Sequence, residues 1–223
     1  MTNTFPDHKL IIYQLLPRLF GNTNTTNKFY GSIEENGVGK FNDINDKALQ
    51  QIKLLGITHV WYTGIIEHAT MTDYSRYGIP NDDPDVIKGR AGSPYAIKDY
   101  YDVDPDLAVD VKNRMAEYEA LIKRTHANGL KVIMDCVPNH VARTYGSDVK
   151  PAGVRDFGQD DDTTKAFSPK NDFYYMPGQH FVVPGGYNPG GDELKSALKD
   201  GNFDEYPAKA TGNDVFSASP SIN

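Results

Sequence analysis

The chain has 223 residues, 39% hydrophobic and 24% charged, which are globular proportions and not those of a disordered segment. Lys plus Arg number 23 against 30 Asp plus Glu, a formal charge of −7, so there is no basic excess for gripping nucleic-acid phosphates. One cysteine, Cys136, excludes an intramolecular disulfide and a cysteine-based zinc cluster, and no apolar run reaches the roughly 18 residues of a spanning helix. The start, MTNTFPDHKL, lacks the basic stretch and apolar run of a secretory signal. As written the chain reads as cytoplasmic, and a chain whose signal had been removed would read the same.

The segment Leu10–Leu16 is apolar nearly throughout, the pattern of a strand buried on both faces in a parallel sheet, and Pro17 fits at its end. After a polar Asn/Thr loop, a helix is predicted over Asp46–Leu55. Asn45 or Asp43 is its N-cap, Leu49, Ile52 and Leu55 share one face, and Gly56 follows the last turn. Ile57–Thr63 is β-branched and aromatic and reads as a second strand. Gly64 to about Asn113 reads as a long connection rich in Asp, Tyr, Gly and Pro, a length that marks either a functional loop or a misread element. A second helix follows over Arg114–Asn128, with Met115, Tyr118, Leu121, Ile122 and Thr125 on one stripe and Gly129 as its stop. Leu130–Asp135 is a third strand.

Alternating strands and helices at this spacing predict parallel pairing. The character changes near residue 140. Residues 1–140 hold 10 Gly and 7 Pro, and the shorter 141–223 stretch holds the same numbers. That stretch reads as a loop-rich subdomain, with brief candidates at His180–Val183 (strand) and Asp192–Lys199 (helix). Its aromatics Phe173, Tyr174, Tyr175, Phe181 and Tyr187 are read as core rather than as a ligand wall. Three parallel strands cannot close a barrel and leave an apolar edge exposed, so more chain is expected after Asn223.

The sharpest chemical feature is Asp135-Cys-Val-Pro-Asn-His140 at the end of the third strand, because ligands of parallel α/β proteins bind beyond the carboxyl ends of strands. On pattern alone, a functional cluster and a set of local backbone caps are equally good readings. His59, His68, His126 and His180 have no metal-like spacing and read as structural. Trp61 reads as core.

Asp135–His140 resembles the first signature region, D-x-x-x-N-H, of the α-amylase family of glycoside hydrolases. Four further segments resemble that family in order: Tyr13-Gln14 with Phe20-Gly21, Gly56–Thr63, Tyr95 through Asp104-Pro105, and Gly129–Asp135. The resemblance implies a (β/α)₈ TIM barrel of which this chain holds the first three strands (1–140), with a loop-rich domain B after strand 3 (141–223). It implies cleavage of α-1,4-glucosidic bonds of starch or maltooligosaccharides with retention. Residue by residue, it makes His140 a hydrogen-bond donor to the sugar, Tyr95 the ring that stacks on it, Asp135 a supporting carboxylate, and Asn139 a calcium ligand through its amide oxygen. The family's glycine before that tyrosine is Pro94 here.

The resemblance also implies that catalytic carboxylates are absent from residues 1–223. Retaining glycosidases need a nucleophile and an acid/base about 5–5.5 Å apart, which this family carries on strands four and five. Nothing like the strand-four G-x-R-x-D motif occurs, and in Arg155-Asp156 the Asp follows the Arg directly. The piece alone is therefore expected to be inactive. Two alternatives stay open: a transglycosidase, isomaltase or trehalose-forming relative, and a non-catalytic carbohydrate-binding homologue that has lost the carboxylates. The sequence sets no oligomeric state.

Overall fold

In the computed structural model, residues 9–82, 84, 87–143, 145–179 and 208–209 are described. Those within 1–23, 38–65 and 106–135 form one compact unit, and those within 24–37, 66–105 and 136–223 form the other.

The first unit is built on a parallel sheet of β1 (Ile12–Leu15), β2 (His59–Tyr62) and β5 (Lys131–Met134), ordered β1-β2-β5. Tyr13 is paired with Val60, and Val60 with Val132. The expected order of elements and the parallel pairing are both present. Helix α2 (Asp46–Leu54) starts where Asn45 accepts a hydrogen bond from the Ala48 N–H at 3.1 Å, and Gly56 follows it in the left-handed region at φ 82°. Helix α3 (Arg114–Ala127) ends the same way before Gly129, at φ 69°.

Along β2, Val60 and Tyr62 are buried while His59 and Trp61 are half-buried, so the sheet has one covered face. The covered side holds Leu49 and Ile52 of α2, Tyr118 and Leu121 of α3, and Phe41, whose ring centroid lies 5.5 Å from that of Tyr118. Tyr62 Oη meets Thr125 Oγ1 at 2.7 Å, and that hydroxyl donates on to the Leu121 carbonyl at 2.8 Å. Arg124 donates to the carbonyls of Ile44 and Phe41, fastening the entry to α2 onto α3.

Three expectations need correction. Leu10, Ile11 and Ile12 are 57%, 41% and 48% exposed, not buried on both faces, because among the described residues β1 has a strand neighbour on one side only. Leu55 is exposed because it caps α2 instead of completing its apolar face. The buried stripe of α3 runs Arg114, Tyr118, Leu121 and Thr125, one position off the expected stripe at its start, and Met115 is exposed.

The second unit contains what read as one long loop. Residues 66–68 form β3 (Ile66–His68), antiparallel to β4 (Ile97–Val103). A short helix, α1 (Ile33–Asn36), is closed by a capping box: Ser32 Oγ accepts from the Glu35 N–H and Glu35 Oε2 accepts from the Ser32 N–H. Val141, Phe173 and Tyr175 form a buried cluster with Tyr100, Tyr145 and Phe157 packed on it, so Phe173 and Tyr175 are core, as expected. Turns dominate residues 141–174, and Asp161 organises one of them, accepting from the N–H groups of Asp172 and Phe173 and from the Tyr175 hydroxyl. β6 (Tyr175–Met176) pairs with β7 (Ala208–Lys209). His180–Val183, Asp192–Lys199, Phe181 and Tyr187 lie outside the described residues.

Two predictions follow from these contacts. Thr125→Val keeps the shape but strands the buried Tyr62 hydroxyl, and should cost about 1–3 kcal/mol, read as a lower urea midpoint at unchanged slope. Asp172 is held below the usual carboxylate range by its hydrogen bonds from Arg155, with the Gly158 N–H adding to the effect. A lowered folded-state value stabilises above the unfolded value of about 3.9 and is lost as pH falls through the folded one. The small advantage of wild type over Asp172→Asn in urea, about 1 kcal/mol or less for so open a pair, should therefore be present at pH 7 and disappear in acid.

Candidate functional site

Asp135 closes β5 in the first unit. Its N–H donates to the Tyr62 carbonyl at 3.2 Å, extending the β2–β5 pairing by one residue, and its side chain is half-buried. A strand end of this kind leaves a carboxylate at the carboxyl edge of a parallel sheet, the edge where α/β proteins hold ligands.

The chain then passes into the second unit, where the Tyr100 hydroxyl donates to the Val137 carbonyl and steadies the turn before Asn139 and His140. Asn139 Nδ2 lies 3.2 Å from His140 Nδ1. With the amide as donor, Nδ1 is the acceptor and Nε2 carries the proton, the tautomer that leaves a ring N–H to give to a ligand oxygen. Asn139 is exposed and His140 half-buried. Tyr95 follows Ser93-Pro94, with its N–H donating to Ser93 Oγ at 3.3 Å, and its side chain is 47% exposed. An open tyrosine face on a turn can stack on a pyranose ring, but Tyr95 makes no hydrogen bond or ring contact with Asn139 or His140. The structure thus joins Asn139 to His140 and places Tyr95 as a separate exposed ring of the same unit.

Arg155 and Asp156 have local roles. Arg155 pairs with Asp172, and the Asp156 carboxylate accepts from the N–H groups of Ser147 and Phe157 at 2.7 and 2.9 Å. His68, buried to 2% exposure, has Nε2 3.1 Å from the Ala91 carbonyl and Nδ1 3.7 Å from Asp104, a structural histidine as its spacing implied.

Sequence reasoning did not single out a buried acidic group on the β3–β4 pair. Glu67 and Asp99 are paired in register, and both are shut off from solvent. Burial pushes the Glu67 carboxyl up to about 9; the Lys98 ammonium opposes the rise, while Asp102, Asp148 and Asp99 add to it. Burial also raises Asp99, against the hydrogen bond it receives from Ser147. Among the described residues, the acidic oxygens that gather closely enough for a metal belong to Glu67, Asp99 and Asp148, not to the surroundings of Asn139. Strand periodicity could not reveal them, because a buried strand reading Ile-Lys-Asp-Tyr-Tyr-Asp-Val has no apolar alternation.

Comparison with known proteins agrees with the motifs. The family model for the α-amylase catalytic domain matches residues 14–189. The trehalose-6-phosphate hydrolase of Bacillus subtilis (strain 168) is 30% identical over 61% of this chain and 18% of its own length. The oligo-1,6-glucosidase of Heyndrickxia coagulans is 26% identical over 75% of this chain and 22% of its own. Among solved structures, an α-amylase from Lactobacillus plantarum is 28% identical over 61% of this chain and 24% of that one, with a TM-score of 0.42. The chain spans about a fifth of the length of the relatives it matches. On the family-model match across most of its residues, the chain belongs to the α-amylase catalytic-domain family.

Proposed function

We propose that the chain forms the first three strands of a (β/α)₈ barrel, with a domain B after the third strand, in a glycoside hydrolase that cleaves α-1,4-glucosidic bonds of starch or maltooligosaccharides with retention. The observation that carries this reading is Asp135–His140. The motif leaves the carboxyl end of β5, and the Asn139 amide nitrogen lies 3.2 Å from His140 Nδ1, a contact that suits the tautomer with its proton on Nε2. His140 donates to a sugar hydroxyl at the cleavage subsite. Tyr95 offers its ring to the apolar face of the same sugar. Asp135 orients neighbouring groups and does not react.

The chemistry needs a carboxylate to attack the anomeric carbon and an acid to protonate the departing oxygen, the same residue then activating water. This reading assigns both to motifs beyond Asn223. Calcium, which the family resemblance attaches to Asn139, would need several oxygens besides that amide, and no step runs through it. Cleavage of α-1,6 bonds is the second reading, favoured by the likeness to an oligo-1,6-glucosidase across three quarters of the chain.

In the whole enzyme, His140→Ala should lower kcat/KM on maltooligosaccharides by about 10- to 100-fold, the worth of one hydrogen bond to a polar ligand group. Tyr95→Ala should cost about 10-fold or less, as expected of a single stacked ring. Following the anomeric proton by NMR, α-configured product should appear first. Initial β-product, or equal activity of wild type and His140→Ala, would refute the reading, and faster cleavage of isomaltose than of maltose would favour the second one. Residues 1–223 purified alone should show no starch hydrolysis above a His140→Ala control.

A further inference from the structure

The second unit buries an acid that no hydrogen bond meets. Glu67 is 1% exposed, and neither Oε1 nor Oε2 has a hydrogen-bond partner. Lys98 Nζ stands 4.0 Å from Oε1, beyond hydrogen-bonding reach, and is committed to Asp82 at 3.2 Å and to the Pro80 carbonyl. A buried carboxylate in this state is strongly disfavoured unless it takes up a proton or a cation.

The geometry around Glu67 suits a cation. Asp99 faces it across the β3–β4 register, and Asp148 reaches the same point from the segment after β5; one oxygen from each of the three lies within 4.8 Å of the others. A cation that holds oxygens at about 2.3–2.6 Å separates opposite ligands by roughly that span. The donor atoms are all carboxylate oxygens, which select a hard ion over zinc or copper. Glu67 has both oxygens to give, as a bidentate ligand would. Asp148 is exposed and leaves one side for water, and a bidentate Glu67 in an irregular shell is a geometry that calcium accepts more readily than the strictly octahedral magnesium. Because Asp82 lies closer to Lys98 than Glu67 does, the ammonium is shared and the trio keeps a net negative charge.

We propose that Glu67, Asp99 and Asp148 bind a calcium ion that ties the chain after β5 to the β3–β4 pair. The path of that chain already prepares the site: Asp99 Oδ2 accepts from Ser147 Oγ at 2.7 Å and from the Asp148 N–H at 3.2 Å, and the Gly146 N–H donates to the Lys98 carbonyl. The ion is separate from the one the family resemblance attaches to Asn139, and the proposal does not depend on glycoside cleavage.

The test is calorimetric titration of calcium chloride into chelator-treated protein, with melting temperature followed in parallel. One equivalent should bind and raise the melting temperature, with magnesium weaker by about tenfold or more. Glu67→Gln and Asp148→Asn should each weaken that binding by at least about tenfold. Asp148 is exposed, so Asp148→Asn tests the site even where Glu67→Gln disturbs folding. No calcium binding up to about 10 mM, unchanged affinity in both variants, or loss in Asn139→Ala with both variants binding as wild type would each overturn the proposal. So would a calcium-insensitive melting temperature together with a Glu67→Gln protein more stable than wild type, which would make Glu67 a buried neutral acid. The readout is binding, so its failure leaves the hydrolase reading standing, and failure of that reading leaves the site standing.

Discussion

A carboxylate shut away from water needs donors, a cation or a proton, and Asp99 is met by donors from a distant part of the chain. Its Oδ1 accepts from the Tyr101 N–H in its own strand, while Oδ2 takes Ser147 Oγ and the Asp148 N–H. Leaving those lone pairs unfilled in the interior would cost more than any one of the bonds is worth. The segment after residue 140 is therefore held to one path along β4, where the Ala142 N–H also reaches the Ile97 carbonyl. With that path fixed, Tyr145 and Phe157 come into contact with Tyr100, at ring centroid distances of 5.8 and 5.5 Å, and Phe173 closes over Phe157. The polar anchor decides where the chain runs, and the aromatic cluster adds the apolar burial.

The two units are stabilised in different ways. In the first, an apolar face of a parallel sheet is covered by amphipathic helices, with long-range side-chain contacts at its margins such as Tyr62 with Thr125, Arg18 with Asp106, and Arg124 with the Phe41 and Ile44 carbonyls. In the second, short turns are each closed by an Asp, Asn or Ser side chain: Asp161 for the turn into Phe173, Asn171 for Asp162, Asp156 for Ser147 and Phe157. Such side-chain caps replace the regular ladders that a loop-rich segment lacks. That is why a stretch so rich in Asp and Gly can be ordered without long helices.

This difference explains what could be read from the sequence. β2, α2, α3 and β5 were legible to within one or two residues at most boundaries because apolar periodicity and end signals agree there, Asn45 and Gly56 bracketing α2 most clearly. β1 departs from burial on both faces because an apolar run says what a strand would bury, not whether a neighbour is there to cover it. β4 carries no legible signal because its buried residues include Lys98, Asp99 and Asp102, and α1 is too short for periodicity, although Ser32-Ile-Glu-Glu35 holds the capping-box pattern. At the candidate site, the motif makes Asp135, Asn139 and His140 legible as candidates, and their roles stand as the proposal. The Asn139–His140 contact was not, since it depends on side-chain rotation, and the Glu67–Asp99 pairing was not, since it depends on a strand register that residue types alone do not set.

The buried acids also show how a perturbed carboxyl can mislead. Glu67, pushed up to about 9 and close to a second carboxylate, has the outward features of a glycosidase acid beside its nucleophile. Accessibility argues otherwise. Glu67 is 1% exposed and Asp99 is fully buried, and both oxygens of Asp99 already accept from backbone or hydroxyl donors. A general acid must reach the oxygen it protonates and a nucleophile the carbon it attacks. A glucosyl ring has no approach to either, whereas an ion needs only the open side at Asp148. The raised value therefore reflects the burial of charge within the second unit. The proposed sugar contacts lie elsewhere in that unit, at the exposed Tyr95 ring and the half-buried His140.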